Sequence, residues 1–194
     1  MSNIAIAILA AGFSSRMGQP KQLLRLKGQT LLQRTVSLAL STGCRPVILV
    51  VQDLAHAADC QGKGDSYEFK TILNQHPERG LSASIIVAVN ELVEDETIEA
   101  VMFLNCDQPR IDEACLLDLA ARYKPGSIVA SSYDGTTGSP AIFDRKFFPH
   151  LLLLKGDRGA KSVIEANKDR LIEVPMEKAR YDLDTEADYA ALSD

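Results

Sequence analysis

The sequence lacks most of the features by which ligand-binding and secreted chains announce themselves. Its four cysteines (Cys44, Cys60, Cys106, Cys115) include no C-x-x-C pair, and its three histidines (His56, His76, His150) are scattered. That spacing argues against a structural zinc site and leaves the thiols as buried or incidental groups in a reducing compartment. No uncharged apolar run approaches the roughly 20 residues that a bilayer-spanning helix needs. No basic segment followed by an apolar stretch opens the chain, so no secretory leader is expected and the protein is read as cytoplasmic, without a membrane partner. Positive charge is not in excess: 21 Lys and Arg against 26 Asp and Glu give a formal net charge of −5. A nucleic-acid surface is disfavoured on that ground, although a local cationic pocket for a nucleotide is compatible with it. Neither G-x-x-x-x-G-K-[ST] nor G-x-G-x-x-G occurs, which disfavours a P-loop NTPase and a Rossmann dehydrogenase. No internal repeat, low-complexity segment or linker is visible. The 194 residues, 46% apolar and 24% charged, are therefore read as one domain, 1–194, with a substantial core.

Hydrophobic patterning gives the organisation. Ile4 to Leu9 is a continuous apolar run, as in a strand buried on both faces of a parallel sheet. Leu32, Val36, Ala39 and Leu40 recur at helical spacing before Gly43, and Pro46 to Val51 is a second apolar run, which completes a βαβ unit. Further strands are expected at Phe69 to Leu73, Ala100 to Leu104, Ser127 to Ser131, Pro140 to Phe143 and Leu171 to Val174. Helices are expected from near Gly80 through Leu92, over Ile111 to Tyr123, Arg145 to Leu154 and Gly159 to Asn167, and from Thr185 onward. The polar stretch Asp59 to Ser66 reads as a surface loop. This alternation predicts an α/β fold, a mostly parallel central sheet with helices on both faces.

The loop after the first strand, Leu9-Ala10-Ala11-Gly12-Phe13-Ser14-Ser15-Arg16-Met17-Gly18-Gln19-Pro20-Lys21, carries the most chemistry. Small residues end a buried strand where open parallel sheets place their ligand crevice. Glycine lets backbone N–H groups converge on phosphate oxygens, Arg16 offers a two-pronged grip and Lys21 a compact charge. Taken alone, the same loop is equally a tight turn with two solvated cations. Asp107, in Asn105-Cys106-Asp107-Gln108-Pro109, follows a central strand, which suits either a Mg²⁺ ligand or a turn aspartate. Ser82 in Gly80-Leu81-Ser82-Ala83-Ser84 reads as an N-cap whose neighbouring N–H groups face a ligand. Asp182 and Asp184 share one face if their segment is extended, yet Asp184 could instead start the last helix.

The thirteen positions from Leu9 to Lys21, continuing through Gln22-Leu23-Leu24 and Gly28, resemble the L-A-A-G-x-S-x-R-M-G-x-x-K-x-L-L motif of MobA-like nucleotidyltransferases. Among these the chain is most similar to molybdenum cofactor cytidylyltransferases. The resemblance is sharp at residues 9–24, 105–109 and 182–185. It implies a GT-A-like, Rossmann-like fold in which Arg16 and Lys21 neutralise NTP phosphates and Asp107, with Arg16 and Lys21, serves catalysis. It implies Mg²⁺ held by Asp107 and Asp184, with Asp182 next in line. Nucleotide contacts implied are Leu9, Ala10, Ala11, Gly12, Ser14, Ser15, Arg16, Lys21, Asn74, Gly80, Ser82 and Ser84. Gly138-Ser139-Pro140-Ala141 resembles the acceptor side, and Gly156 to Lys161 resembles a G-D-x-G-A-R element, which makes Asp157 or Arg158 an acceptor contact. Thr185 is followed by Glu186 where the family has proline. The implied donor is CTP, favoured over GTP by Ala11 where guanylyl-transferring relatives have glycine, and the implied acceptor is molybdopterin, with a molybdoenzyme as eventual client. A molybdopterin guanylyltransferase, a methylerythritol phosphate cytidylyltransferase and a non-catalytic nucleotide- or pterin-binding chaperone are the competing readings.

Overall fold

Alternation along β1 (Ile4–Ala10), buried at every position, builds two cores at once. Ile4, Ile6 and Ile8 join one cluster while Ala5, Ala7 and Leu9 join another, because successive side chains of a strand point to opposite faces. The structure, a computed structural model, describes residues 3–12, 20–60 and 68–193. After a short hairpin of β2 (Arg25–Leu26) and β3 (Gln29–Thr30) come α1 (Leu31–Ser41), β4 (Val47–Val51), β5 (Lys70–Leu73), α2 (Leu81–Val93), β6 (Ala100–Asn105) and α3 (Glu113–Arg122). A long hairpin of β7 (Ile128–Tyr133) and β8 (Thr136–Asp144) precedes α4 (Phe148–Leu152), α5 (Lys161–Ala166), β9 (Leu171–Pro175) and α6 (Glu186–Ser193).

Seven strands form one sheet in the order β5-β4-β1-β6-β8-β7-β9. The neighbours from β5 to β6 are parallel, β8 is antiparallel to both β6 and β7, and β9 is parallel to β7. Leu32 and Val36 of α1 and Leu116 and Leu119 of α3 cover the isoleucine face of β1. The opposite face packs Ile85 and Leu92 of α2, Leu151 of α4, and Val163 and Ile164 of α5. This is the mostly parallel sheet with helices on both faces that the alternation predicts. Leu9 of β1 lies opposite Asn105 of β6, so the loops leaving these two central strands open at the same carboxyl edge, where such sheets bind ligands.

Boundaries depart from expectation for local reasons. Strand β8 is longer than the run Pro140 to Phe143, because Asp134 and Gly135, at φ +48° and +71°, make a tight turn that pairs Thr136 and Thr137 with β7. The helix expected over Arg145 to Leu154 is a 3-10 turn followed by α4, and Asp144 caps that turn by accepting from the Lys146 N–H at 2.9 Å. Gly159 has a φ of +55°, outside the right-handed helical region, so α5 starts only at Lys161. Helix α3 starts at Glu113 because Asp112, not Ile111, supplies the cap, accepting from the Cys115 N–H.

The β2–β3 hairpin carries the first cross-link between the chain's two ends. Leu24, Leu26, Leu31 and Leu183 form a separate small core, with Tyr189 and Leu192 of α6 against it. Tyr189 Oη donates to the Arg25 carbonyl at 2.5 Å, and the Leu183 N–H donates to the Asp107 carbonyl at 2.8 Å. Leu183 thus anchors the segment that bears Asp182 and Asp184 beside the loop after β6. Leu183→Ala is expected to destabilise the protein by about 2–5 kcal/mol, the range for truncating a buried leucine. Urea unfolding checks this, and a loss well under about 1 kcal/mol would mean that the small core is not a structural anchor.

Candidate active site

A cavity of about 500 Å³ opens at the carboxyl edge of β1 and β6. It is lined by Leu9, Ala10, Ala11 and Gly12 from the end of β1, and by Asn105, Cys106 and Asp107 from the end of β6. Pro77, Glu78, Gly80, Leu81 and Ser84 come from the turn before α2 and its first turns, and Lys21, Gln22 and Asp157 complete the lining.

Lys21 stands among three aspartates. Its Nζ is 2.5 Å from Asp184 Oδ1 and 4.0 Å from Asp107 Oδ2. Burial pushes the Asp107 carboxyl above the usual carboxylate range, Lys21 pulls it back in part, and the Asp184 charge pushes it further up. Asp107 Oδ1 is buried with no hydrogen-bond partner among the described residues. Partial burial, then the nearby Asp107 charge, push Asp182 up to about 6. An anionic cluster with an unsatisfied buried oxygen fits a cation that brings its own ligands. Mg²⁺, which takes one or two carboxylates plus phosphate oxygens and waters, has that character. Among the described residues no group of three or more His, Cys, Asp or Glu is arranged to hold a metal, so a closed all-protein cage is not what this site offers.

The Asp182 shift makes a pH prediction for the metal-free protein. A carboxyl whose pKa rises on folding binds its proton more tightly in the native state. Its stabilising contribution is complete below 3.8, the ordinary aspartate value, and is lost as pH rises through about 6. Asp182→Asn is therefore expected to be more stable than the parent near pH 8 and indistinguishable from it near pH 3.5. Chemical denaturation in EDTA at both pH values checks this, and a stability difference independent of pH would refute the assignment.

Asp184 does not start the last helix. Thr185 caps α6, its Oγ1 accepting from the Asp188 N–H at 3.2 Å, while Asp188 Oδ2 accepts from the Thr185 N–H at 2.8 Å. The Asp184 carboxylate is left to Lys21. Cys106 lines the cavity, where burial raises its thiol pKa and favours the protonated form.

The turn before α2 differs from the expectation built on Ser82. Gly80, at φ +81°, is the N-cap position, and no side chain caps the helix. Ser84 lines the 500 Å³ cavity, whereas Ser82 and Asn74 line a neighbouring groove of about 670 Å³ beyond α2, which shares Glu78 and Asp157 with it. Asn74 still acts on the site, because its amide donates to Ser84 Oγ at 3.1 Å and accepts from the His76 N–H at 2.9 Å. A recess of about 130 Å³ adjoins the 500 Å³ cavity, sharing Leu9, Leu81 and Asn105 and adding Gly138, Ser139, Arg158 and Lys161. Of the residues singled out from sequence, Leu9, Ala10, Ala11, Gly12, Lys21, Gly80, Ser84, Asp107 and Asp157 meet in one cavity, while Asp184 lies outside its lining and meets Lys21. Ser14, Ser15 and Arg16 lie outside the described residues, as does most of the Asp59 to Ser66 loop. Asn105 was not singled out, although a polar residue ending an apolar strand just before Asp107 was a readable signal.

A mostly parallel sheet with a small-residue loop, a lysine and paired aspartates at its carboxyl edge has the GT-A/Rossmann-like architecture of nucleotidyltransferases. The chain belongs to the family described as the MobA-like NTP transferase domain, whose pattern matches residues 6–171. It is 30% identical to the purine catabolism protein PucB of Bacillus subtilis, over 93% of this chain and 91% of that one. It is 25% identical to nicotine blue oxidoreductase of Paenarthrobacter nicotinovorans, over 92% and 90% of the two chains. A probable molybdenum cofactor guanylyltransferase of Trichormus variabilis is also 25% identical, over 99% and 91%. Among solved structures, Rv0371c of Mycobacterium tuberculosis H37Rv superposes with a TM-score of 0.83 at 28% identity, covering 99% of this chain and 97% of that one. A manganese complex of Rv0371c superposes with a TM-score of 0.77 at 24% identity, covering 99% and 98%. Among the described residues no helix is long and apolar enough to cross a membrane.

Proposed function

We propose that this nucleotidyltransferase moves CMP from CTP to the phosphate of molybdopterin and releases pyrophosphate, with Mg²⁺ as cofactor. The observation that carries the reading is Lys21, held 2.5 Å from Asp184 and 4.0 Å from Asp107 in a cavity whose lining includes Gly12. In this reading Lys21 and Arg16 neutralise the triphosphate, the Gly12 backbone lies against it, and Gly80 and Ser84 flank the nucleoside. Asp107 and Asp184 would hold the metal ion, which supplies charge neutralisation on the transferring and leaving phosphates. The recess lined by Ser139 and Arg158 receives the acceptor's phosphate end. An acceptor phosphate is already ionised near neutral pH, so attack on the α-phosphorus needs no protein nucleophile and no general base. Rate enhancement then rests on positioning and electrostatics. Delivery to a molybdoenzyme client in the cytoplasm completes the proposal.

CTP is preferred because Ala11, which lines the cavity, stands where guanylyl-transferring relatives have glycine. The likeness to a probable guanylyltransferase favours GMP transfer as the second reading. Pyrophosphate release, measured with molybdopterin, Mg²⁺ and each of the four NTPs in turn, separates them. Release with CTP alone supports the first reading, release with GTP alone supports the second, and release with neither overturns both.

A further inference from the structure

The loop Gly156-Asp157-Arg158-Gly159 sends its two charged side chains into different cavities. Arg158 lines the small recess with Ser139 and Lys161, whereas Asp157, with Glu78, stands between the 500 Å³ cavity that Gly80 and Ser84 line and the groove beyond α2. The Asp157 carboxylate, on an exposed residue, lies over the Cα of Gly80, where a β-carbon would overlap its Oδ1 and stand 3.0 Å from the Gly156 carbonyl carbon. With Gly80 at φ +81°, this approach depends on a residue without a side chain. Among the described residues Asp157 has no hydrogen bond or ion pair. Glu78 differs, since its Oε1 meets His76 Nδ1 at 3.2 Å.

The cavity is thus electrically polar. Lys21 is engaged with Asp184 and Asp107, while the Gly80 side presents a carboxylate without a cation. A triphosphate beside Asp157 would meet like charge in a partly enclosed space, so the phosphates belong with Lys21 and the heterocycle with Asp157. An ionised carboxylate is acceptor-only. At the edge of a base it admits an N–H group and repels a carbonyl oxygen.

We infer that Asp157 selects the base of the nucleotide, its carboxylate accepting a hydrogen bond from an exocyclic amino group, which cytosine has and uracil lacks. The inference rests on the proposed nucleotide-binding role of the cavity at the carboxyl edge of β1 and β6. It separates the functions of two consecutive residues, Asp157 reading the base and Arg158 facing the acceptor recess.

Calorimetric titration in Mg²⁺, without acceptor, tests it on the parent and Asp157→Asn. Each amino-bearing nucleotide is paired with a counterpart lacking that group, CTP with UTP and GTP with ITP. The parent is expected to prefer the amino-bearing member of the pair it binds. Asparagine donates as well as accepts, so the variant is expected to narrow that preference by about 10-fold or more, the worth of a charge-assisted hydrogen bond. An unchanged preference, or equal weakening of both members, would overturn the inference and make Asp157 a support for the Gly80 turn. Failure of the parent to bind any of the four would instead overturn the nucleotide reading of the cavity.

Discussion

Asp107→Asn is expected to lower kcat by about 10³-fold, the scale on which losing charge stabilisation at the transferring phosphates is felt, because it weakens the hold on the metal ion that would supply it, and to leave the fold intact. The physical signature is a divergence between activity and stability. Asp107 is held above the usual carboxylate range by burial, and its Oδ1 has no partner among the described residues. The folded protein therefore carries this charge at a cost near neutral pH, and the isosteric amide relieves it. The variant should unfold at a urea concentration equal to or above that of the parent at pH 8 while losing turnover. A residue that only shaped the loop after β6 would behave otherwise, with activity and stability falling together. Retained turnover in Asp107→Asn would remove Asp107 from the metal site.

Lys21→Ala is expected to lower kcat/KM by about 10²–10³-fold through lost stabilisation of the transferring phosphates. It should also destabilise the protein at neutral pH, because Lys21 pairs with Asp184 and stands near Asp107. Asp184 is about half exposed, with a side-chain accessibility of 49%, so solvent screening limits the stability loss to about 1 kcal/mol. Lowering the pH should reverse that loss, with Asp182, at about 6, taking up its proton early as the cluster discharges. Millimolar Mg²⁺ should reverse it as well, by restoring positive charge among the aspartates. Activity measured against both nucleotide and acceptor, with denaturation at pH 8 and pH 4, checks the two parts. A stability loss of the same size at pH 8 and pH 4 would point to lost packing of the lysine stem.

The parallel half of the sheet was legible because its strands are long and apolar on both faces, as in Ile4–Ala10 and Ala100–Asn105. The β2–β3 hairpin was not legible: two-residue strands are too short for alternation to register. Its turn depends on Lys27 and Gly28 at positive φ, +52° and +86°, and a lysine does not advertise that conformation. The polar first half of β8, Thr136 to Ser139, gave no strand signal because its partner, not its own hydrophobicity, makes it extended.

In the site, motif resemblance brought Lys21, Asp107 and Asp184 forward, and they converge. It also grouped Ser82 with Ser84, which the structure places on different cavities. Residues two apart on a helix lie about 200° around the axis, so Ser84 faces the cavity that holds Lys21 and Asp107 while Ser82 faces the groove beyond it. Asp157 and Arg158 separate for a similar reason, adjacent in sequence but directed into different cavities. Motif spacing gives the residues of a loop but not their directions.

Isotope labelling at two phosphates of one nucleotide distinguishes transfer of a nucleoside monophosphate from transfer of a terminal phosphate. CTP carrying ³²P at the α- or at the γ-position is incubated with the protein, Mg²⁺ and molybdopterin, and the acceptor product is separated from pyrophosphate. Label from the α-position should appear in the acceptor product, and label from the γ-position should leave only in pyrophosphate. Label from the γ-position in the acceptor would make the reaction a phosphoryl transfer and contradict transfer of a nucleoside monophosphate.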